Sequence, residues 1–170
     1  PNDVQVPLLP KGQWIALHPV SKDPFRRFPF FAQTARLLQE QLQCNILLVG
    51  TTKELPLLNS LAQEIPNAVV ETLSLLQLAK RFKQVDLLIA NDSGPFHLAC
   101  ALNTPVLGLY IATDPKLYGP LNAKNAHVLS KPIACTPCLK RKCQASFCFL
   151  QSTPAEVLDL AKSILAQKSK

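Results

Sequence analysis

A seven-residue segment beginning at Asn91 combines a carboxylate, a hydroxyl and an imidazole with a glycine and a proline, in the order Asn-Asp-Ser-Gly-Pro-Phe-His. It follows a short apolar run and precedes apolar residues at helical spacing. The pattern therefore predicts a turn from a buried strand into a helix that begins near Pro95. The amide groups and the dipole at such a helix start favour a phosphate. Gly94 would allow that ligand to approach the backbone closely.

The polar side chains of this segment are candidates for further ligand contacts. Asp92 and Ser93 have the chemistry to bind sugar hydroxyl groups, and His97 on the first helical turn is within reach of the same anion. The alternative is that Asp92 or Ser93 only caps the helix and that His97 forms a local hydrogen bond. Spacing alone leaves both interpretations open.

Two other segments carry charges that suit a nucleotide. Arg26 and Arg27 could neutralise a diphosphate at the mouth of the same crevice, because a guanidinium binds phosphate oxygens in pairs; the alternative is an exposed basic loop. Glu54, which follows Gly50, could accept hydrogen bonds from a ribose diol, or could only stabilise the first turn of its helix. The sequence contains neither the glycine-rich dinucleotide motif nor a P-loop.

Four cysteines, Cys135, Cys138, Cys143 and Cys148, follow the pattern C-x2-C-x4-C-x4-C. Four thiolates could hold a structural Zn²⁺, and the first pair has zinc-like spacing, although the second pair does not. Plain thiols lining a loop, disulfides and an iron–sulfur cluster are the alternatives. The remaining cysteines, at positions 44 and 100, lie in apolar patterns and are expected to be small buried residues.

The candidate site residues lie in a sequence in which short apolar runs alternate with segments of helical periodicity. Runs without polar alternation are typical of strands buried on both faces of a parallel sheet. The sequence therefore predicts an α/β fold, a Rossmann-like open parallel sheet with helices on both faces, whose ligands bind at the carboxyl ends of the strands. The segments expected to meet at those ends are residues 18–27, 50–54, 71–74 and 91–97.

Composition limits the class of protein. With 170 residues, of which 48% are hydrophobic and 17% charged, the chain can form one core and is too apolar for intrinsic disorder. No apolar run is long enough to span a bilayer. The chain contains no methionine, so we expect a piece of a longer protein. Residues 1–13 are expected to be a linker segment, and residues 14–170 a single domain.

The net charge of +7 is concentrated late in the chain. Residues 124–170 carry eight basic and two acidic side chains, with a cluster at Lys140, Arg141 and Lys142. An alternative function is therefore a non-catalytic basic module that binds nucleic acid or an anionic membrane surface. No nucleic-acid partner is expected, because no interleaved aromatics and no nucleic-acid motif accompany the charges. A solvated basic rim is the simplest interpretation.

The motifs together resemble a known family. Residues 91–99, 101–106 and 113–115 resemble the signature of glycosyltransferase family 9, the ADP-heptose:lipopolysaccharide heptosyltransferases. Supporting similarity comes from His18-Pro19, residues 26–29 and 50–54, and the Cys135-x-x-Cys138 segment. The resemblance runs from about Ile15 to the C-terminal helix.

The resemblance implies a two-domain GT-B fold of which this chain is the C-terminal, donor-binding half, without the N-terminal acceptor domain. The family transfers heptose from an ADP-sugar to lipopolysaccharide core with inversion, and needs no cofactor or metal for catalysis. Its catalytic base is a carboxylate of the N-terminal domain, so the resemblance implies no catalytic residue in this chain and no turnover by this domain alone. It also implies a cytoplasmic location, with peripheral binding at the inner membrane.

The resemblance also assigns roles to individual residues. Arg26, beside Arg27, replaces a phosphate-binding lysine, Glu54 is placed at the ribose, and the backbone at Leu73 meets adenine. It places four residues at the diphosphate and the sugar, namely Asp92, Ser93, Gly94 and His97. Val20, Arg26 and Phe28 stand where the family usually has Gly, Lys and Trp, so the donor is either ADP-heptose or a related nucleotide-sugar.

Overall fold

The computed structural model describes residues 5–121, 124–138 and 147–168. All six strands of the described chain form one sheet in the order β3-β2-β1-β4-β5-β6, and every pairing is parallel. The strands are β1 (Trp14–His18), β2 (Asn45–Gly50), β3 (Val69–Thr72), β4 (Leu87–Asn91), β5 (Val106–Tyr110) and β6 (Ala126–Ser130). The predicted Rossmann-like parallel sheet is thus confirmed, and its order reverses between β1 and β4.

Six helices lie in the described chain; the first five connect consecutive strands, and the sixth follows β6. They are α1 (Phe31–Leu42), α2 (Leu55–Glu64), α3 (Leu75–Phe82), α4 (Gly94–Ala101), α5 (Pro115–Tyr118) and α6 (Pro154–Lys168). Short 3-10 turns cover Pro24–Arg26, Thr52–Glu54 and Phe147–Leu150. The sequence did not predict α5, a single turn in which the Lys116 amide donates to the Asp114 side chain, because four residues are too few to show a periodicity.

The side chains of each central strand alternate between two apolar cores. Ile15 and Leu17 of β1 pack on the face covered by α1, α2 and α6, while Ala16 packs on the face covered by α3 and α4. All five residues of β1 are buried, as are those of β4 and β5. The predicted helices on both faces are therefore present. Burial on both faces is why these strands are apolar apart from His18 and Asn91, the last residues of β1 and β4.

A capping box begins α6. The amide of Thr153 donates to the Glu156 carboxylate, and the amide of Glu156 donates to the Thr153 hydroxyl at 3.3 Å. Lys131 also binds Glu156, and these contacts lower the pKa of that carboxyl. The contact attaches Lys131, the residue after β6, to the first turn of α6.

The segment before β1 has fixed contacts with the sheet domain. Arg81 of α3 is 2% exposed; it binds both oxygens of Glu71 and donates to the carbonyl of Pro7 at 2.8 Å. The amide of Leu9 donates to Gln84, and the indole of Trp14 donates to the carbonyl of Pro10 at 2.9 Å. Residues 7–10 of the expected linker are therefore attached to α3 and β1.

Within the described residues, no helix has both the length and the apolar character needed to cross a membrane.

Candidate functional site

A cavity of about 380 Å³ lies at the carboxyl ends of the strands, where the strand order reverses. Its lining comes from the segments that follow β1, β2, β4 and β5. Three of the four loops predicted to meet at this edge contribute to it, and the loop after β3 does not. The predicted site residues that line it are Arg26, Glu54, Asp92, Ser93 and Gly94.

The start of α4 opens into this cavity. A methyl group placed on Gly94 would meet nothing within 4 Å, so the backbone there is accessible to a ligand. Ser93 occupies the N-cap position, but its side chain makes no capping hydrogen bond. The amides of the first helical turn have no intrahelical acceptor, and with the helix dipole they favour an anion.

Arg26 lines the same cavity and is held on two sides. Its Nε lies 3.3 Å from a carboxylate oxygen of Asp23, and its Nη2 donates to the carbonyl of Cys138 at 3.0 Å. The guanidinium is thus oriented before any ligand arrives. Together with the start of α4 it offers hydrogen-bond donors to a diphosphate, in a cavity whose lining also contains the carboxylates of Asp23, Glu54 and Asp92.

Arg27, the second predicted arginine, is directed elsewhere. Its guanidinium donates twice to the carbonyl of Ser21 at 3.3 Å, and it is not among the residues that line the cavity. The sequence pairs the two arginines as equals, whereas in the structure only Arg26 reaches the crevice. A donor contact by Arg27 stays a prediction.

Leu73 and His97 also lie outside this cavity of about 380 Å³. The amide of Leu73 donates to the carbonyl of Gly50 at 3.1 Å, which continues the β2–β3 pairing beyond the strands. His97 lines a neighbouring cavity of about 590 Å³, and Asp92 lines both. His97 Nε2 lies 3.6 Å from the Asp92 carboxylate, and a contact between His97 and the donor stays a prediction.

Glu54 stabilises the turn at the start of α2 and also lines the cavity, while its contact with a ribose stays a prediction. Its carboxylate accepts the amide of Thr51 at 2.6 Å in a capping box, and it also lines the cavity. A methyl group on Gly50 would lie 2.8 Å from a Glu54 carboxylate oxygen. The glycine at the end of β2 is therefore needed for this carboxylate to turn back over the strand.

Asn91 is a positioning residue that the sequence motif contains but that residue types alone did not single out. It is fully buried at the end of β4, where its Oδ1 accepts the amide of Phe28 at 2.8 Å and its Nδ2 donates to the carbonyl of Val20 at 3.3 Å. One side chain thus fastens both ends of the loop that carries Arg26. Only its place after an apolar run indicated that it would be buried.

His18 is a second residue that the sequence analysis did not assign to the site. It ends β1, is 5% exposed, lines the cavity and lies 3.2 Å from Ser93 through Nδ1 and Oγ. Burial lowers the pKa of His18 to about 4, against a smaller raising effect of the Glu54 charge. The imidazole is therefore neutral at neutral pH.

The cysteine cluster is only partly described. Cys143 and the basic residues Lys140, Arg141 and Lys142 lie outside the described residues. Within residues 5–121, 124–138 and 147–168, no group of three His, Cys, Asp or Glu side chains is arranged to hold a metal ion. The three described cysteines do not come together as such a group, and the zinc site stays a prediction.

The two isolated cysteines differ in their surroundings. Cys44 is buried, and burial raises the pKa of its thiol to about 11, as expected of an unreactive core residue. Cys100 is only partly buried and lines the second cavity, although burial raises the pKa of its thiol as well. The expectation of a buried residue is therefore confirmed for Cys44 and wrong for Cys100.

Comparison with known proteins agrees with this architecture. The family model described as glycosyltransferase family 9 (heptosyltransferase) matches residues 4–148. Lipooligosaccharide heptosyltransferase 2 of Campylobacter jejuni is 27% identical over 145 residues, covering 80% of this chain and 45% of the relative. Lipopolysaccharide heptosyltransferase 1 of Pseudomonas aeruginosa is 36% identical over 95 residues, covering 55% of this chain and 26% of the relative.

Solved structures share the fold. The E. coli ADP-heptose lps heptosyltransferase II superposes with a TM-score of 0.79 at 22% identity, covering 94% of this chain and 48% of that one. The E. coli heptosyltransferase WaaC with ADP superposes with a TM-score of 0.70 at 22% identity, covering 90% of this chain and 44% of that one. The chain thus spans less than half the length of the proteins it matches, and since the family model covers most of its residues, it belongs to glycosyltransferase family 9.

Proposed function

We propose that this chain is the donor-binding domain of an inverting glycosyltransferase that moves a heptose or a related sugar from an ADP-sugar to lipopolysaccharide core. The observation that carries the proposal is the convergence of Arg26 and the accessible start of α4 on one cavity. A fixed cation and a helix N-terminus on the same cavity form a site for a diphosphate.

The proposed chemistry is direct displacement at the anomeric carbon of the sugar. The acceptor oxygen forms the new bond as the bond to the diphosphate oxygen breaks, and the nucleoside diphosphate leaves with an added negative charge. Arg26 and the amides of the α4 start stabilise that charge more strongly in the transition state than in the bound donor. Glu54 accepts hydrogen bonds from the ribose, and Asp92, between the two cavities, binds a sugar hydroxyl.

A base must also remove the proton of the acceptor hydroxyl. No residue of this chain is assigned that role, and a carboxylate of a separate acceptor domain would supply it. The names of the relatives support the substrates, since they are called lipopolysaccharide or lipooligosaccharide heptosyltransferases, and one neighbouring structure contains ADP. A cytoplasmic location with peripheral binding at the inner membrane stays part of the proposal.

Calorimetric titration of the chain with ADP, ADP-sugars and AMP tests the donor site. We expect ADP to bind more tightly than AMP, because the second phosphate meets Arg26 and the α4 amides. Arg26→Gln should weaken ADP binding about tenfold, the effect of losing one charged hydrogen-bonding partner. Arg36→Gln is the matched control, since Arg36 lies on α1 and binds the carbonyl of Glu64 instead. Absence of ADP binding at millimolar concentration, with the fold intact, would contradict the proposal.

A further inference from the structure

Ser93 behaves unusually for a serine at a helix N-cap. A serine in this position normally accepts a hydrogen bond from an amide of the first helical turn. Ser93 makes no such bond, and its hydroxyl lies 3.2 Å from Nδ1 of His18, a residue 75 positions earlier in the chain. The side chain therefore faces across the sheet edge instead of along its own helix.

The sequence of α4 makes the direction of this hydroxyl important. Gly94, Pro95 and Phe96 are the first three residues of the helix, and proline has no N–H group. The first turn therefore offers only the amides of Gly94 and Phe96 to a ligand. If the Ser93 hydroxyl capped the helix, it would occupy the amide of Phe96 and remove one of these two donors.

His18 is held where it can prevent that capping. It pairs with Ala90 in the register of β1 and β4, so its backbone position is fixed by the centre of the sheet. Its ring is 5% exposed and reaches the cavity that Ser93 and Gly94 also line. Nδ1 of a neutral imidazole either donates or accepts a hydrogen bond, depending on the tautomer, and a serine hydroxyl can take the complementary role. The hydrogen bond between His18 and Ser93 therefore forms without a charge on the imidazole.

We propose that His18 is a positioning residue that holds the Ser93 hydroxyl away from α4, so that both first-turn amides remain free for the diphosphate. This inference rests on the proposed function for the identity of the ligand, but the His18–Ser93 contact can be tested without any ligand. His18 itself need not touch the diphosphate.

Amide hydrogen exchange tests the contact directly in the unliganded chain. His18→Leu removes the partner of Ser93, so the hydroxyl should turn to the helix and slow exchange of the Phe96 amide several-fold. A merely structural role for His18 would have the opposite effect, because loss of a packing residue speeds exchange. In His18→Asn, whose amide can take the place of Nδ1, exchange at Phe96 should return to the parent rate. Unchanged or faster exchange at Phe96 in a folded His18→Leu protein would overturn the proposal.

A double-mutant cycle tests the consequence for binding. His18→Leu should weaken ADP binding about tenfold, as expected for one lost hydrogen bond to a charged group. In a Ser93→Ala background, which has no hydroxyl to cap the helix, the same substitution should have no effect on ADP affinity. His127→Leu on β6, outside both cavities, is the matched control. An equal loss in both backgrounds would show that His18 acts independently of Ser93.

The two experiments separate the two proposals. If the parent chain fails to bind ADP while exchange at Phe96 responds to His18→Leu as described, the donor assignment is wrong and the positioning role stands. If ADP binds with normal dependence on Arg26 while Phe96 does not respond, the donor assignment stands and the positioning role is wrong. His18→Ala, which also lacks a polar partner for Ser93, takes the place of His18→Leu in both tests if His18→Leu does not fold.

Discussion

The guanidinium of Arg26 donates to the backbone carbonyl of Cys138 at 3.0 Å, a contact between residues 112 positions apart. The amide of Cys138 in turn donates to the carbonyl of Ala112 at 2.7 Å, just beyond β5. The segment that contains the first two clustered cysteines is therefore attached to the edge of the cavity. It supports the cation on which the proposed donor site depends.

Gly94→Ala should separate ligand binding from stability. A methyl group at this position meets no protein atom within 4 Å, and alanine favours a helix by about 0.5–1 kcal/mol over glycine, so the free energy of unfolding should stay equal or rise. The same methyl group would occupy the space of the phosphate and weaken ADP binding at least about tenfold. Urea unfolding and calorimetry measure the two effects.

Gly108→Ala is the contrasting control for that experiment. A methyl group there would lie 2.5 Å from the ring of Phe96, so this variant should unfold more easily. If Gly94→Ala bound ADP as tightly as the parent chain, the start of α4 would not be the phosphate site.

Removal of the Asn91 side chain should loosen the loop that carries Arg26. Asn91→Ala leaves the buried amide of Phe28 and the carbonyl of Val20 without their partner, which costs about 1–3 kcal/mol for each unsatisfied group. We expect a loss of about 2–6 kcal/mol in urea unfolding and weaker ADP binding in the protein that remains folded. Normal stability would show that water replaces the side chain at both positions.

Stability should depend on pH through His18. Because burial lowers its pKa from 6.5 to about 4, the unfolded chain takes up a proton between these values while the folded chain does not. Stability is therefore complete above about pH 6.5 and is lost as pH falls towards 4. Between about pH 7.5 and pH 5 the loss should reach about 2 kcal/mol, at roughly 1.4 kcal/mol per unit. The slope should be smaller in His18→Asn; an identical slope in that variant would mean that other groups cause it.

The buried pair of Arg81 and Glu71 should be costly to break. Arg81→Met leaves the Glu71 carboxylate without its partner and releases the carbonyl of Pro7, so we expect a loss of about 3–5 kcal/mol. Arg36→Met removes an exposed arginine and should change stability by less than about 1 kcal/mol. Similar values for the two variants would mean that the segment before β1 adds little to the fold.

The chain alone should bind its donor without transferring the sugar. The proposed reaction needs a base and an acceptor site that no residue of this chain is assigned to provide. Incubation with an ADP-sugar and lipopolysaccharide core acceptor, followed by mass spectrometry of the acceptor, should show no addition of sugar. Transfer by the purified chain would place a base among its own residues.

Local sequence determined the strands and most helices because the forces that select them are local. An apolar run such as that of β4 is removed from water on both faces only when helices cover both sides of the sheet. The capping box at Thr153 involves only residues 153–156, so four neighbouring residues are enough to predict it. The Gly94-Pro95 start of α4 was predictable for the same reason. The sequence also determined that polar residues follow the strands, and therefore the edge of the sheet at which a ligand binds.

Only the tertiary structure decided which of those residues reach the cavity. Arg26 and Arg27 are equivalent in sequence. In the structure, Asn91 fixes the ends of their loop, and the carbonyl of Cys138 accepts a hydrogen bond from Arg26. The contact between His18 and Ser93 likewise joins two strand ends that only the parallel pairing of β1 with β4 brings together. The direction of a loop side chain depends on partners far along the chain, and a pattern of neighbouring residues carries no information about them.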